Sequence, residues 1–159
     1  MGDPLRFRLF ADLIETRFHR FKDSPVADVA GGKGHLKAAL YLRGWRHVTT
    51  IDTRHRLAKG RPGQHYAKFT MHAWQHYSLV IGMHPDEATD HIILYAAKHL
   101  IPFAVCPCCI KPSAINFDGR QTKASWIEHL VKLAMTTHTV SRDYLPMEGD
   151  SLILLGLPR

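Results

Sequence analysis

Three groups of residues in this sequence have the types and spacing to do chemistry. The first is Asp28-Val29-Ala30-Gly31-Gly32-Lys33-Gly34, where a short apolar run containing an acid gives way to glycines. Glycine lets a chain turn sharply and leaves no side chain between the backbone and a ligand. A strand-to-helix turn of this composition is therefore a seat for a nucleotide-like group. Asp52 belongs with it, because it ends the run Val48-Thr49-Thr50-Ile51 and lies 18 residues past Gly34. The second group is His84-Pro85-Asp86, which follows Leu79-Val80-Ile81-Gly82-Met83. Imidazole titrates near neutral pH, so His84 is a candidate base or orienting group. Asp86 is a candidate ligand for an amino group or for an acceptor. The plainer readings are a helix cap for His84 and a favourable first-turn acid for Asp86.

The third group is Cys106-Pro107-Cys108-Cys109. These cysteines admit three readings: a nucleophile, for which Cys108 is the candidate; a metal ligand; and small, buried pocket-lining side chains. The last carries the most weight. No matching second half is present, so a closed tetrahedral zinc site is not expected without histidines from elsewhere, and no residue is assigned as a metal ligand. An odd, clustered set of thiols is also a poor disulfide framework and agrees with a reducing compartment.

These residues need elements to position them. Phe7, Phe10, Ile14, Phe18 and Phe21 recur at helical spacing within residues 4–21, which predicts an amphipathic helix covering the sheet. Strands are expected at 26–30, 47–52, 66–69, 77–83 and 103–105. Helices are expected at 33–43 and 124–137, and a further helix opens at Pro85-Asp86-Glu87 with Ala88, Ile92, Ala96 and Leu100 as its buried stripe. Residues 60–64 and 110–121 read as loops. Residues 144–146 and 151–157, flanking Met147-Glu148-Gly149-Asp150, read as a hairpin. Strand–helix alternation gives a mainly parallel sheet, and a hairpin after the last helix adds an antiparallel pair.

The chain has 159 residues, 45% of them apolar, enough for one domain with a full core. The formal charge of +7 favours a polyanionic partner, nucleic acid first. Arg54, His55, Arg56, Lys59 and Arg61 form the densest basic stretch, and a solvated loop is their plainer reading. No apolar run spans a bilayer or makes a secretory leader, so no membrane role and a cytoplasmic location are expected. Trp45, Tyr66, Trp74, Tyr77 and Phe117 are candidates for stacking on a base, or are core.

The strand, the glycine turn, the next strand's acid and the closing hairpin together resemble class I S-adenosylmethionine-dependent methyltransferases. The resemblance implies a Rossmann-like α/β fold with helices on both faces of a mostly parallel sheet. One minimal domain over 1–159 follows, with a helix at 1–22 and a catalytic core at 26–159. It implies S-adenosylmethionine as cofactor, bound by Asp28, Ala30, Gly31, Gly32, Gly34, Asp52, Thr53, Gly82 and Met83, with Asp52 taking the ribose hydroxyls. Ala30 stands where the family's first glycine usually does. NAD is the rival cofactor for this topology, but Gly31-Gly32-Lys33-Gly34 is not Gly-x-Gly-x-x-Gly. A P-loop is excluded because no Gly-Lys-Ser/Thr occurs.

His84, Ala88-Thr89-Asp90 and Cys108-Cys109 are similar to motifs of the acceptor-stem tRNA 2′-O-methyltransferases and related methyltransferase-like proteins, over about residues 26–112. That branch implies an RNA substrate, tRNA among the candidates, with His84, Asp86 and Cys108 as catalytic candidates. Pro85-Asp86 departs from its pattern, and its small zinc-binding modules are missing. The Asp/Asn-Pro-Pro-aromatic signature of exocyclic-amine methylation is also missing. With no added substrate domain, a homodimer or partner protein is a candidate for substrate recognition. A small-molecule or protein methyltransferase and a non-catalytic cofactor-binding module are the alternatives.

Overall fold

Amphipathic helices and apolar strands assemble into three layers, α/β/α, in the computed structural model, which describes residues 3–54 and 62–159. In chain order the elements are α1 (Arg6–Phe18), a 3-10 turn (His19–Phe21), β1 (Val26–Val29), α2 (His35–Tyr41), β2 (Val48–Asp52) and β3 (Gln64–Tyr66). They continue with β4 (Leu79–Met83), a 3-10 turn (Asp86–Ala88), α3 (Thr89–His99), β5 (Phe103–Cys106), α4 (Lys123–Ala134), β6 (His138–Tyr144) and β7 (Leu152–Pro158). The seven strands form one sheet in the order β3-β2-β1-β4-β5-β7-β6. β1 to β5 run parallel, and β7 joins β5 and β6 antiparallel.

Alternation along the strands fixes which face each residue joins. Val26, Leu79, Ile81, Ala104, Ile153 and Leu155 face α1 and α2, where they meet Phe10, Ile14, Phe18, Leu36, Leu40 and Trp45. Ala27, Val29, Val80, Phe103, Val105 and Leu154 face α3 and α4, where they meet Ile92, Tyr95, Trp126 and Leu130. The N-terminal helix thus covers the sheet, as its periodicity predicts. Glu15 adds a polar tie: it accepts hydrogen bonds from Trp45 Nε1 at 2.6 Å and Lys22 Nζ at 2.7 Å. Burial works against its charge, but the bonds from Lys22, Trp45 and His19 outweigh that and hold its pKa down at about 2.

Several expectations are corrected. The strand expected at 66–69 lies at Gln64–Tyr66, because Gly63, at φ +67, turns the chain into it early. Residues 62–64 of the expected loop are therefore a turn and a strand start. Leu100 is not in the buried stripe: it ends α3 in the left-handed conformation at φ 50 and is 58% exposed. The first arm of the hairpin is His138–Tyr144, not 144–146. Its burial is mixed, so it lacks the apolar run that would mark it, and α4 ends at Ala134 to make room for it. The helix after the glycine turn is shorter than 33–43, since Gly34 at φ 82 is its N-cap and Tyr41 its last residue. His55, Arg56, Lys59 and Arg61 of the basic stretch lie outside the described residues.

Candidate active site

The chain runs outward from β1 to β3 on one side and returns to β4 and β5 on the other. The loops leaving β1 and β4 therefore diverge, and a crevice opens at the carboxyl ends of these strands. A cavity of about 390 Å³ lies there. Its wall includes Ala30, Asp52, Thr53, His84 and Asp86, together with Arg54, Lys68 and Lys111.

The glycine turn forms one side. Ala30, Gly32 and Gly34 all sit at positive φ, at 55, 58 and 82°. Ala30 thus holds the left-handed conformation that suits the glycine of the family pattern, at a cost of about 1–2 kcal/mol for an L-residue. A side chain at Gly31 would run into the carboxyl group of Asp28, with its Oδ1 only 2.7 Å from the added carbon. A side chain at Gly32 would meet the Arg54 guanidinium at 2.9 Å. A buried group thus bars a side chain at Gly31, whereas at Gly32 the exposed Arg54 side chain can swing aside and the positive φ is what disfavours one.

Asp52 faces this backbone. Its Oδ2 accepts a hydrogen bond from Gly32 N at 2.9 Å and its Oδ1 accepts one from Arg54 N at 2.9 Å. The Arg54 guanidinium closes on both oxygens, with Nε 2.9 Å from Oδ1 and Nη2 3.1 Å from Oδ2. Burial opposes the Asp52 charge, but the bonds from Arg54 and Gly32 outweigh it and hold the pKa below the usual carboxylate value. Asp28 lies beneath the turn and is 1% exposed. Its Oδ2 accepts a bond from Thr50 Oγ1 at 3.0 Å, while Oδ1 is buried without a partner. Burial, above all, pushes its pKa up to about 7.

The second side follows β4. His84 and Asp86 both sit at positive φ, 52 and 51°, so three of the four non-glycine residues with positive φ among the described residues line this cavity. Such strain collects where a fixed geometry is needed. His84 Nε2 lies 2.9 Å from the Asp150 carbonyl in the β6–β7 turn. A carbonyl only accepts, so Nε2 carries the proton and Nδ1 keeps a free lone pair. Burial and the charges of Arg6 and Lys123 push the His84 pKa below its ordinary value despite Asp86. The imidazole is therefore neutral at pH 7.

Asp86 reaches the cysteines. Its Oδ1 accepts hydrogen bonds from Cys108 Sγ at 3.3 Å and Cys109 Sγ at 3.0 Å, and Lys111 Nζ stands 3.4 Å away. The Cys109 bond is the largest of the effects that lower the Asp86 pKa. Burial, then the Asp86 bond, pushes the Cys109 thiol up to about 12, and burial does the same to Cys106. Cys106 is fully buried, and its thiol faces the Asp150 carbonyl.

Among the expected residues, then, Ala30, Asp52, Thr53, His84 and Asp86 converge on the cavity. Gly31, Gly32 and Gly34 shape the adjoining turn, and Asp28 supports it from below. Gly82 packs against Ile92 and Pro85, and Met83 is buried toward α1; neither lines the cavity. Cys108 reaches the site through Asp86. Lys68, Lys111 and the Asp150 carbonyl had no individual mark in the sequence, being brought there by β3, the loop after β5 and the hairpin turn.

No protein-family model and no curated protein matches this sequence. Solved structures do. The glycopeptide N-methyltransferase MtfA, in complex with S-adenosyl-L-homocysteine, is 13% identical with a TM-score of 0.64, covering 96% of this chain and 90% of its own. Fibrillarin, in its complex with Nop5p, is 10% identical with a TM-score of 0.66 and coverages of 98% and 83%. Magnesium protoporphyrin IX methyltransferase ChlM from Synechocystis PCC 6803, with bound S-adenosylmethionine, is 12% identical with a TM-score of 0.63 and coverages of 96% and 79%. With the sheet order, the antiparallel closing pair and helices on both faces, these likenesses establish that the chain has the Rossmann-like fold of the class I methyltransferases.

Proposed function

We propose that this chain is an S-adenosylmethionine-dependent methyltransferase acting on RNA, with tRNA the first substrate class to test. One observation carries the reading: the Asp52 carboxylate is aimed across the bare backbone of the glycine turn and bonds Gly32 N, at the lip of a cavity at the carboxyl ends of β1, β2 and β4. These residues fit the cofactor. A side chain is barred at Gly31 and strained by the positive φ at Gly32, and a carboxylate stands ready to accept ribose hydroxyls. The four donors on Asp52 fill its acceptor sites, so ribose binding exchanges the Arg54 guanidinium for hydroxyls.

The cofactor, when bound, supplies an electrophilic methyl group. The chain's own residues supply alignment, which is worth several kcal/mol. Asp52, Ala30 and the glycine backbone hold the nucleoside. Neutral His84, fixed through Nε2 to the Asp150 carbonyl, presents Nδ1 as a proton acceptor. Asp86 stands across from it as an anion. Arg54, Lys68 and Lys111 on the rim suit a phosphate backbone. The fibrillarin neighbour is found in a protein complex, which supports a partner sharing substrate recognition here. MtfA and ChlM are named for a glycopeptide and a porphyrin, and a small-molecule acceptor is the second reading.

Calorimetry with S-adenosylmethionine and S-adenosylhomocysteine should give binding heat, lost in Asp52→Ala with folding intact. No heat with either compound sinks the cofactor assignment. Incubation with methyl-labelled cofactor and total RNA should then give labelled nucleosides. Cofactor binding with label appearing only in a small-molecule extract would overturn the RNA half alone.

A further inference from the structure

A second chemistry is assembled on the rim of the cavity. Asp86 Oδ1, Cys108 Sγ and Cys109 Sγ all lie within 4.8 Å of one another. The separations are 3.3 Å between the sulfurs and 3.3 and 3.0 Å from them to the oxygen. Two segments 22 residues apart are brought together to make this triangle. Asp86 is held at φ 51, a backbone conformation that L-residues rarely adopt, and its carboxylate meets both thiols there. Cys108 and Cys109 are half-buried, so they are reachable by an ion, whereas Cys106 is enclosed.

We propose that Asp86, Cys108 and Cys109 form a site for a borderline-soft divalent ion of the zinc class, bound by one carboxylate oxygen and two thiolates. The donor set matches: thiolate and carboxylate are both zinc ligands. A tetrahedral ion with Zn–S bonds of about 2.3 Å spaces its sulfurs about 3.7 Å apart. The triangle therefore needs to open by only a few tenths of an ångström. In the ion-free form the two thiol protons point at the carboxylate and take the ion's place. Binding releases both to solvent as two sulfur–metal bonds form. Two thiolates and a carboxylate around a divalent ion leave one negative charge, which the Lys111 ammonium, 3.4 Å from Asp86 Oδ1, balances. Three protein ligands leave a fourth position for water or an acceptor atom, the arrangement of catalytic rather than structural zinc. The site does not depend on the methyltransferase reading.

The test uses the purified chain, stripped with a chelator and titrated with cobalt(II) alone. Thiolate–cobalt charge-transfer absorption with tetrahedral visible bands is expected at one ion per chain, bleached by added zinc, with two protons released per ion. This absorption distinguishes the site from the 12 histidines, which give none. Cys108→Ser and Cys109→Ser should each lose it. Asp86→Ala should weaken affinity by more than the roughly 10–100-fold that removing an outer partner costs. Cys106→Ser should keep it. Absence of the charge-transfer band in the unmodified chain overturns the proposal, as does a band that survives in the Cys108→Ser, Cys109→Ser double variant. Circular dichroism on each variant separates ligand loss from unfolding.

Discussion

Asp28 and Asp52 are both carboxylates at the ends of neighbouring strands, yet their surroundings drive them apart. Asp28 is enclosed beneath Gly31 with one oxygen unpartnered, and burial lifts its pKa to about 7. A carboxyl that binds its proton more tightly folded than unfolded stabilises the fold fully below about pH 4. That contribution is lost as the pH rises through 7. Asp28→Asn keeps an acceptor for Thr50 Oγ1 and removes the titration. In urea unfolding it should match the parent near pH 4 and exceed it increasingly toward pH 8, by at most about 4 kcal/mol. A difference that does not change with pH would show Asp28 already ionised at neutrality. Asp52 is stabilised as an anion by Arg54, whose side chain is 56% exposed. With the guanidinium that open to solvent, though Asp52 itself is buried, the pair is worth about 1 kcal/mol, so ribose hydroxyls can displace it. Arg54→Ala should tighten S-adenosylmethionine binding up to about fivefold. Weaker binding in calorimetry would instead make Arg54 a ligand of the cofactor.

At the scale of elements, the N-terminus of α3 fixes the loop that carries the cysteines. Asp90 is fully buried, and its Oδ2 accepts hydrogen bonds from Ser113 N, Ala114 N and Ile115 N at 2.8, 2.7 and 3.3 Å. His91 adds to the tie. Its Nδ1 accepts from Met71 N at 3.2 Å, and its Nε2 lies 3.3 Å from Ser113 Oγ. One helix turn therefore anchors both the segment before β4 and the loop after β5. Asp90→Ala should cost about 2–4 kcal/mol, from several N–H groups left without an acceptor. Hydrogen exchange should show lost protection at residues 113–115 with α1 unchanged. Unaltered exchange there would remove Asp90 as the anchor. The β6–β7 turn acts likewise from the opposite side, since its Asp150 carbonyl meets both His84 and Cys106.

Across the whole molecule, a net charge of +7 surrounds a rim bearing Arg54, Lys68 and Lys111. Trp74 is 80% exposed and Tyr66 56% exposed. Among the described residues no helix is long and apolar enough to cross a membrane. If phosphates are the ligands of this surface, methyl labelling of RNA should fall steeply between about 50 and 200 mM salt, while cofactor affinity hardly changes. Labelling that ignores salt would point to an acceptor held inside the cavity.

The period of the apolar residues, the glycine cluster and the acid at the end of β2 were legible in the sequence, because each is a local consequence of backbone geometry. Alternation of strand and helix fixed a mostly parallel sheet, and the polar break at 147–150 marked its closing turn. The first hairpin arm was hidden because His138–Tyr144, with its mixed burial, carries no alternating apolar signal. Only the tertiary structure decided which side chains meet. Asp86 and Cys109 are 23 residues apart, and His84 and Asp150 are 66 apart. Their encounters depend on the crossover of the chain between β1 and β4 and on the antiparallel return of β7. Spacing along a chain sets the face a residue occupies, whereas the approach of two loops is set by the packing of the whole sheet.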